Sequence, residues 1–330
     1  MASPLKQLEA TGTVVIADTA DFGDIARFQP SEGTTNPTLL FLAAQLPAYA
    51  ALVDKALDYA RSLPATASAA SRLSAAVDAL AVQFGTQIYK LTGRVSTEAD
   101  VALSFDTPAT VAAALRILEL YAAEGVPRDR VRIKISATWE GIEAARILQR
   151  DHGVSCLVTV VFGLAQAVAA AEAGADAVAP YVGRIADWGK LNQPNQPSSD
   201  SEQQQDLGVQ TVSRIQNHLR KYGYRTQVMA ASFRNVQQVR QLAGVDLLTA
   251  APAILEAVER ETEPITAVLT ADAARAASDA ELPPLAFNGN EAAFRWALNG
   301  DACAVEKSAD AMRRFFADTE KLKELLATKL

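Results

Sequence analysis

The sequence is poor in the residues that build metal and redox sites. In 330 residues there are two histidines and two cysteines. His152 and His218 lie in the polar stretches ILQRDHGVS and QNHLRKYG beside predicted helix ends, so both are expected in solvated loop or C-cap positions. A histidine-based triad or a zinc site has little to build on, and no metal is expected. Acid–base chemistry would then fall to carboxylate, lysine or tyrosine. Cys156 and Cys303 form no CxxC pair, and lone thiols fit a reducing, cytoplasmic compartment. Cys156 sits in an apolar run and reads as a buried, inert thiol. A basic excess is also missing: 31 Lys and Arg stand against 38 Asp and Glu, a net charge of −7. That argues against nucleic acid as a partner, and any anion site must be assembled locally from a few cations. No uncharged apolar run reaches about 18 residues, so no membrane span is expected. The opening MASPLKQLEATGTVVIAD lacks the pattern of a signal peptide. No GxGxxG or Walker motif opens a helix, which weakens an open doubly wound sheet.

What is present is a rhythm. Short runs rich in β-branched residues alternate with Ala-rich helical stretches. The strand candidates are 13–19, 33–36, 94–98, 132–136, 156–162, 177–182, 227–232 and 246–252. Most look apolar on both faces, as parallel strands do. Helical patterns fill the gaps, for example 108–125 and 163–175, with Gly125, Gly153 and Gly174 as stops. The Ala- and Ser-rich stretch 65–81 is periodic and reads as a packed helix. Eight strand–helix units in this length predict one α/β domain over 1–330, a (β/α)8 barrel of the TIM type. Residues 192–206 read as an exposed polar insertion. The tail 305–330 is an amphipathic helix, expected to pack on the barrel; covering the active site is its other reading.

In such a barrel chemistry sits at the C-terminal ends of the strands. The informative residues are therefore polar ones that interrupt or end apolar strands: Asp18, Asn36, Glu98, Lys134, Thr159, Tyr181, Arg184, Ser232 and Arg234. Lys134 is the sharpest, with isoleucine on both sides in RIKIS. A lysine there is costly unless neutral, paired or catalytic, although it could also snorkel at a strand edge. Burial favours the free amine, the form that attacks a ketone. Asp18 and Glu98 each end a strand. Each reads as a capping carboxylate or, beside Lys134, as a proton carrier for aldol cleavage and imine turnover. Arg184 and Arg234 follow the sixth and seventh strands. They are either surface ion pairs or a phosphate clamp, with Ser232 adding a hydroxyl.

In order along the chain, SEGTTNPTL, GRVSTEAD, IKISATWEGI, PYVGRIADW, ASFRN and FRWALN resemble transaldolase, and the likeness spans nearly the whole chain, 10–330. The resemblance implies a circularly permuted class I aldolase barrel with no metal or organic cofactor. It implies transfer of a dihydroxyacetone unit from fructose 6-phosphate or sedoheptulose 7-phosphate to an aldose phosphate, glyceraldehyde 3-phosphate or erythrose 4-phosphate. This is a step of the pentose phosphate pathway. Lys134 resembles the Schiff-base lysine. Asp18 resembles the acid–base at the donor C4 hydroxyl, and Glu98 and Thr159 the pair that holds the catalytic water. Asn36 resembles the group that bonds the donor hydroxyls. Arg184, Ser232 and Arg234 resemble the phosphate site. The partners implied are small sugar phosphates; a homodimer is compatible with the sequence but not required by it.

Four positions depart from the transaldolase pattern. Leu157 stands where Asn is usual, Ala179 where Ser is, Tyr181 where Phe is, and Gly163 where Ser is. Leu, Ala and Tyr at the first three resemble the sibling fructose-6-phosphate aldolases, whose tyrosine activates water and which release free dihydroxyacetone or hydroxyacetone. An amide and a hydroxyl lost from the donor site would each remove about 0.5–1.5 kcal/mol of hydrogen bonding. Two rival readings follow: an aldolase-like enzyme, and a non-catalytic barrel that binds sugar phosphates.

Overall fold

The structure is a computed structural model that describes residues 3–193 and 206–330. Eight parallel strands close into a barrel in chain order: β1 Val14–Asp18, β2 Gly33–Thr34, β3 Val95–Glu98, β4 Val131–Ser136, β5 Ser155–Val161, β6 Ala177–Pro180, β7 Gln227–Ala230 and β8 Leu247–Ala250. β8 pairs with β1, with Val14 opposite Leu247, and this removes every free sheet edge. Helices wrap the outside, with one to four between successive strands and after β8.

All eight predicted strands are present, but most end earlier than the polar residues suggested. Asn36 is not in β2; it caps the helix Pro37–Ala44, its Oδ1 accepting from the Leu39 N–H at 3.0 Å. Tyr181 lies past β6, bridged to Ala231 and preceding the helix Val182–Asn192. Ser232 lies past β7 with φ 64°, a left-handed conformation. Of the stretch 65–81 expected as a helix, 65–68 form a turn and the Ser68 cap, and the rest belongs to a longer helix, Ala69–Thr92. Gly125, Gly153 and Gly174 do take positive φ at helix ends. The expected insertion 192–206 falls mostly outside the described residues. Of its edges, Asn192 ends a helix and Asp206 is buried, capping Leu207–Lys221 and accepting from Gln238 at 2.7 Å.

His218 corrects the expectation of a solvated side chain. It is fully buried in the last turn of Leu207–Lys221, its ring 4.6 Å from that of Tyr222. His152 is exposed at a helix end, as read from the sequence. Cys156 is fully buried, and burial pushes its thiol up to about 12.

The period of two decides what faces inward. On β4, Ile133 and Ile135 pack outward into the layer shared with the helices, while Arg132, Lys134 and Ser136 turn into the barrel. The interior is built from Ile16, Leu157, Ala177, Ala179, Met229 and Leu247, with Ala311 and Phe315 of the C-terminal helix Ala302–Ala327. That helix is also tied to the barrel mouth by Thr38, whose Oγ1 donates to Asp318 Oδ2 at 2.6 Å. Among the described residues no single helix is long and apolar enough to cross a membrane.

Candidate active site

Small side chains on β6 and beyond β7 leave a cavity at the C-terminal end of the barrel. Its wall contains Asp18, Asn36, Lys134, Thr159, Tyr181, Arg184 and Ser232, seven of the nine residues singled out in the sequence. Lys134 is nearly buried, and its Nζ donates to the Thr35 carbonyl at 2.8 Å. Asp18 enters from β1 and accepts from Thr34 Oγ1 at 2.9 Å, and Thr34 on β2 is 3.2 Å from Thr249 on β8, the two strands that flank β1. Because the Oδ1 of Asn36 is committed to its helix cap, only its amide NH2 has donors to offer the cavity.

Glu98 and Arg234 lie outside this wall. Glu98 is in register with Lys134 on the neighbouring strand and faces an adjoining cleft shared with Asn36, Asp78 and Asp100. Both its carboxylate oxygens are shut off from solvent without a hydrogen-bond partner among the described residues. Burial pushes Glu98 up to about 7; Asp18 adds to the rise, while Lys134 and Arg184 oppose it. A carboxyl so placed exchanges a proton near neutrality.

The bulge in β5 explains how Thr159 reaches the cavity. Pairing with β6 slips between Val158 and Val161, and Val160 takes φ 61°, an outlier for a β-branched residue. Thr159 Oγ1 then meets Tyr181 Oη at 2.9 Å. Burial, then the charge of Glu98, hold the Tyr181 phenol well above its ordinary value, so near neutrality it offers a hydrogen bond rather than a base. Leu157 is fully buried in the barrel interior and is not part of the cavity wall; Ala179 is.

The two arginines differ. Arg184 stacks its guanidinium over Tyr181 at 5.2 Å and Phe315 at 5.5 Å, and its Nη1 is buried with no partner among the described residues. Arg234 is exposed at the rim and paired with Asp187 at 2.8 Å, its Nη1 also 3.2 Å from Ser232 Oγ. Gly183 makes this corner possible: a Cβ there would lie 2.2 Å from the Ser232 carbonyl and 2.7 Å from Arg234 Cγ. Among the described residues no group of three or more His, Cys, Asp or Glu side chains is arranged to hold a metal ion.

Residues 15–326 match the family Transaldolase/Fructose-6-phosphate aldolase. A transaldolase of Gibberella intermedia is 45% identical over 331 residues, covering 100% of both chains. The transaldolase of Saccharomyces cerevisiae is 45% identical, covering 99% of this chain and 95% of its own. The human transaldolase is 44% identical, covering 100% and 95%. The chain belongs to the transaldolase/fructose-6-phosphate aldolase family.

Three neighbours of this candidate site were not signalled by the sequence. Thr34, which holds Asp18, sits inside the quoted SEGTTNPTL, where the double threonine signals little by itself. Thr249 comes from β8, a strand that offered no charged residue at its end. Phe315 comes from the tail helix. That helix packs on the barrel as expected and in addition contributes Phe315 to the wall of this cavity.

Proposed function

We propose that this chain, as one domain over 1–330, is a cytoplasmic transaldolase of the pentose phosphate pathway, and that Lys134 carries the substrate as an imine. The Lys134 amine adds to the ketose carbonyl of fructose 6-phosphate or sedoheptulose 7-phosphate, and the carbinolamine loses water to give the imine. Glu98 and Thr159 handle that water. Asp18 takes the proton of the C4 hydroxyl as the C3–C4 bond breaks, and the imine accepts the electron pair as an enamine. The aldose phosphate departs. The enamine then adds to glyceraldehyde 3-phosphate or erythrose 4-phosphate, and the steps run in reverse. Asn36 donates to the hydroxyls of the retained unit. Arg184, Ser232 and Arg234 take the phosphate, the fork of each guanidinium matching phosphate oxygens.

The observation that carries this reading is one cavity in which the nearly buried Lys134 stands beside Asp18, Asn36, Thr159 and Arg184. The full-length likeness to transaldolases supports the transfer reaction. The phenol of Tyr181, 2.9 Å from Thr159, supports a side reaction in which the bound unit is released as free dihydroxyacetone.

Borohydride reduction in the presence of fructose 6-phosphate tests the reading. Mass spectrometry should find the reduced three-carbon adduct on Lys134, and Lys134→Met should abolish both adduct and turnover. An adduct on another lysine, or none, defeats it and returns the chain to a binding role. Transfer to erythrose 4-phosphate should outpace release of free dihydroxyacetone measured without acceptor; the opposite ratio would make the chain an aldolase.

A further inference from the structure

We propose that Gln166 is a positioning residue, holding the β5 bulge in the shape the site requires and tying it to the C-terminal helix. This inference rests on the reading of Thr159 and Tyr181 as groups that handle water at the imine.

Gln166 stands in the first turn of the helix Leu164–Glu172 and is almost fully buried. Its Oε1 accepts from the Phe162 N–H at 2.8 Å. Its Nε2 lies 3.1 Å from each of three acceptors: the Val160 carbonyl, the Ala137 carbonyl and Ser308 Oγ. One amide thus grips the chain on both sides of Val161, joins it to the end of β4, and reaches the C-terminal helix. Its two N–H groups are shared among three acceptors.

The bulge needs such a hold. A valine at positive φ is strained backbone that persists only where its surroundings over-determine it. Nothing in the Val160 side chain favours that conformation. With Gln166 removed, the Val160 carbonyl and the Phe162 N–H would lose their partner in a water-excluded place. The two residues flanking the bulge point are both bound to Tyr181. Thr159 meets it through the hydroxyl at 2.9 Å, and the Val161 carbonyl accepts from the Tyr181 N–H at 3.1 Å. A change in the bulge therefore moves Thr159 and Tyr181 together relative to Lys134, while Arg184 keeps the Phe315 ring beneath its guanidinium and Ser232 keeps its contact with Arg234. The expected signature is a loss in kcat with little change in KM.

The tie to the helix gives the bulge a second anchor. Gly163 lies against the start of that helix so closely that a Cβ would sit 2.7 Å from Asp301 Oδ2 and 3.1 Å from Ala304 Cβ. Further along, the same helix places Phe315 on the cavity wall. Gln166 therefore meets both the strand that aims Thr159 and the helix that closes the cavity over it.

Gln166→Glu tests this with little change in shape. It keeps an acceptor for the Phe162 N–H and, when ionised, has no donor for the carbonyls. At pH 8 kcat should fall about 10- to 100-fold, the size expected when catalytic groups shift by a fraction of an ångström to an ångström, with KM for fructose 6-phosphate within about threefold. Towards pH 5 the protonated acid regains one donor, so the ratio of variant to wild-type kcat should rise. Gln166→Met removes both donor and acceptor and should lose kcat at every pH. A Gln166→Glu enzyme with wild-type kcat throughout overturns the proposal. So does one whose kcat loss is accompanied by an equal rise in KM, or one whose rate ratio does not vary with pH. If Gln166→Met does not fold, Gln166→Glu carries the test alone. Borohydride trapping on the wild type separates the two levels. No Lys134 adduct in the wild type defeats the reading of the site, whereas an adduct with wild-type kinetics in the variant defeats only the role of Gln166.

Discussion

Arg132 and Lys134 sit two residues apart on β4 and turn into the same barrel, yet their surroundings are opposite. Arg132, at the N-terminal end, meets Glu32 at 3.0 Å and Asp176 at 2.9 Å. Arg94 approaches the same two carboxylates, at 3.8 and 3.4 Å, and Ser96 donates to Glu32. Two cations balance two anions. Burial works to raise Asp176, but the Ser155 hydroxyl and Arg132 hold it below its ordinary value. At the other end the charges do not close on one another. Lys134 donates to a carbonyl, Glu98 has no hydrogen-bond partner, and Arg184 keeps a buried nitrogen free among the described residues. At the paired end Arg94 Nε also lacks a hydrogen bond among the described residues, but it faces the Glu32 carboxylate at 3.8 Å; the Glu98 carboxylate and Arg184 Nη1 fit the substrate-binding role proposed for the C-terminal end.

The paired end is expected to hold the fold together. Arg132→Met should leave the Glu32 carboxylate buried with Ser96 and only a distant Arg94. It should cost about 3–5 kcal/mol, as removing one partner of a buried ion pair does. Urea unfolding measures this, and the surviving folded enzyme should keep its KM. A variant as stable as wild type, or one that is stable but inactive, would erase the distinction between the two ends.

Glu98→Gln should do the reverse. Losing a proton-transferring carboxyl lowers kcat by about 100-fold or more, while stability should improve at neutral pH. The sign follows from burial. Glu98 titrates near 7 when folded against 4.5 when free. Between those values the folded chain holds a proton that the unfolded chain has released, so folding takes up a proton. Its stabilising contribution is complete below 4.5 and is lost as pH rises through about 7. The span corresponds to about 3 kcal/mol. Wild type should thus lose stability relative to Glu98→Gln between pH 5 and pH 8, read from paired urea curves. Parallel curves at both pH values would mean that Glu98 finds a partner in solution and belongs with the paired end.

These two ends were not equally legible. Lys134 showed itself because a charge between two isoleucines breaks a strand pattern, and the eight strands showed themselves by the pattern it breaks. Arg132 stands in the same RIKIS run but gives no signal, because its partners come from residues 32 and 176, far away in sequence. Asn36, Tyr181 and Ser232 were placed in strands because polar residues at a strand end carry no periodicity with which to tell a strand from a cap, a bridge or a left-handed turn. The bulge at Val160 was invisible for the opposite reason, since valine reads as ordinary strand. Phe315 reaches the cavity, and Ser308 reaches Gln166, through packing of the tail, which an amphipathic pattern predicts only as a buried face. His218 sits among polar neighbours in sequence but is fully buried in space, its ring against that of Tyr222.

Arg234 differs from both Arg132 and Lys134, because it belongs to the open end and is nevertheless paired. Its partner Asp187 is as exposed as it is, with relative side-chain exposures of 46% and 42%. A surface pair of this kind contributes about 0–1 kcal/mol, so it can exchange its carboxylate for a phosphate with little penalty. Arg132, sealed at 3% exposure, has no such freedom. Arg234→Ala should therefore leave urea stability within about 1 kcal/mol of wild type. It should raise KM for fructose 6-phosphate about tenfold, equivalent to about 1.4 kcal/mol, and leave KM for unphosphorylated dihydroxyacetone nearly unchanged. An equal rise for both substrates would take Arg234 out of the phosphate site and leave Arg184, with its unpartnered nitrogen, to hold the phosphate with Ser232.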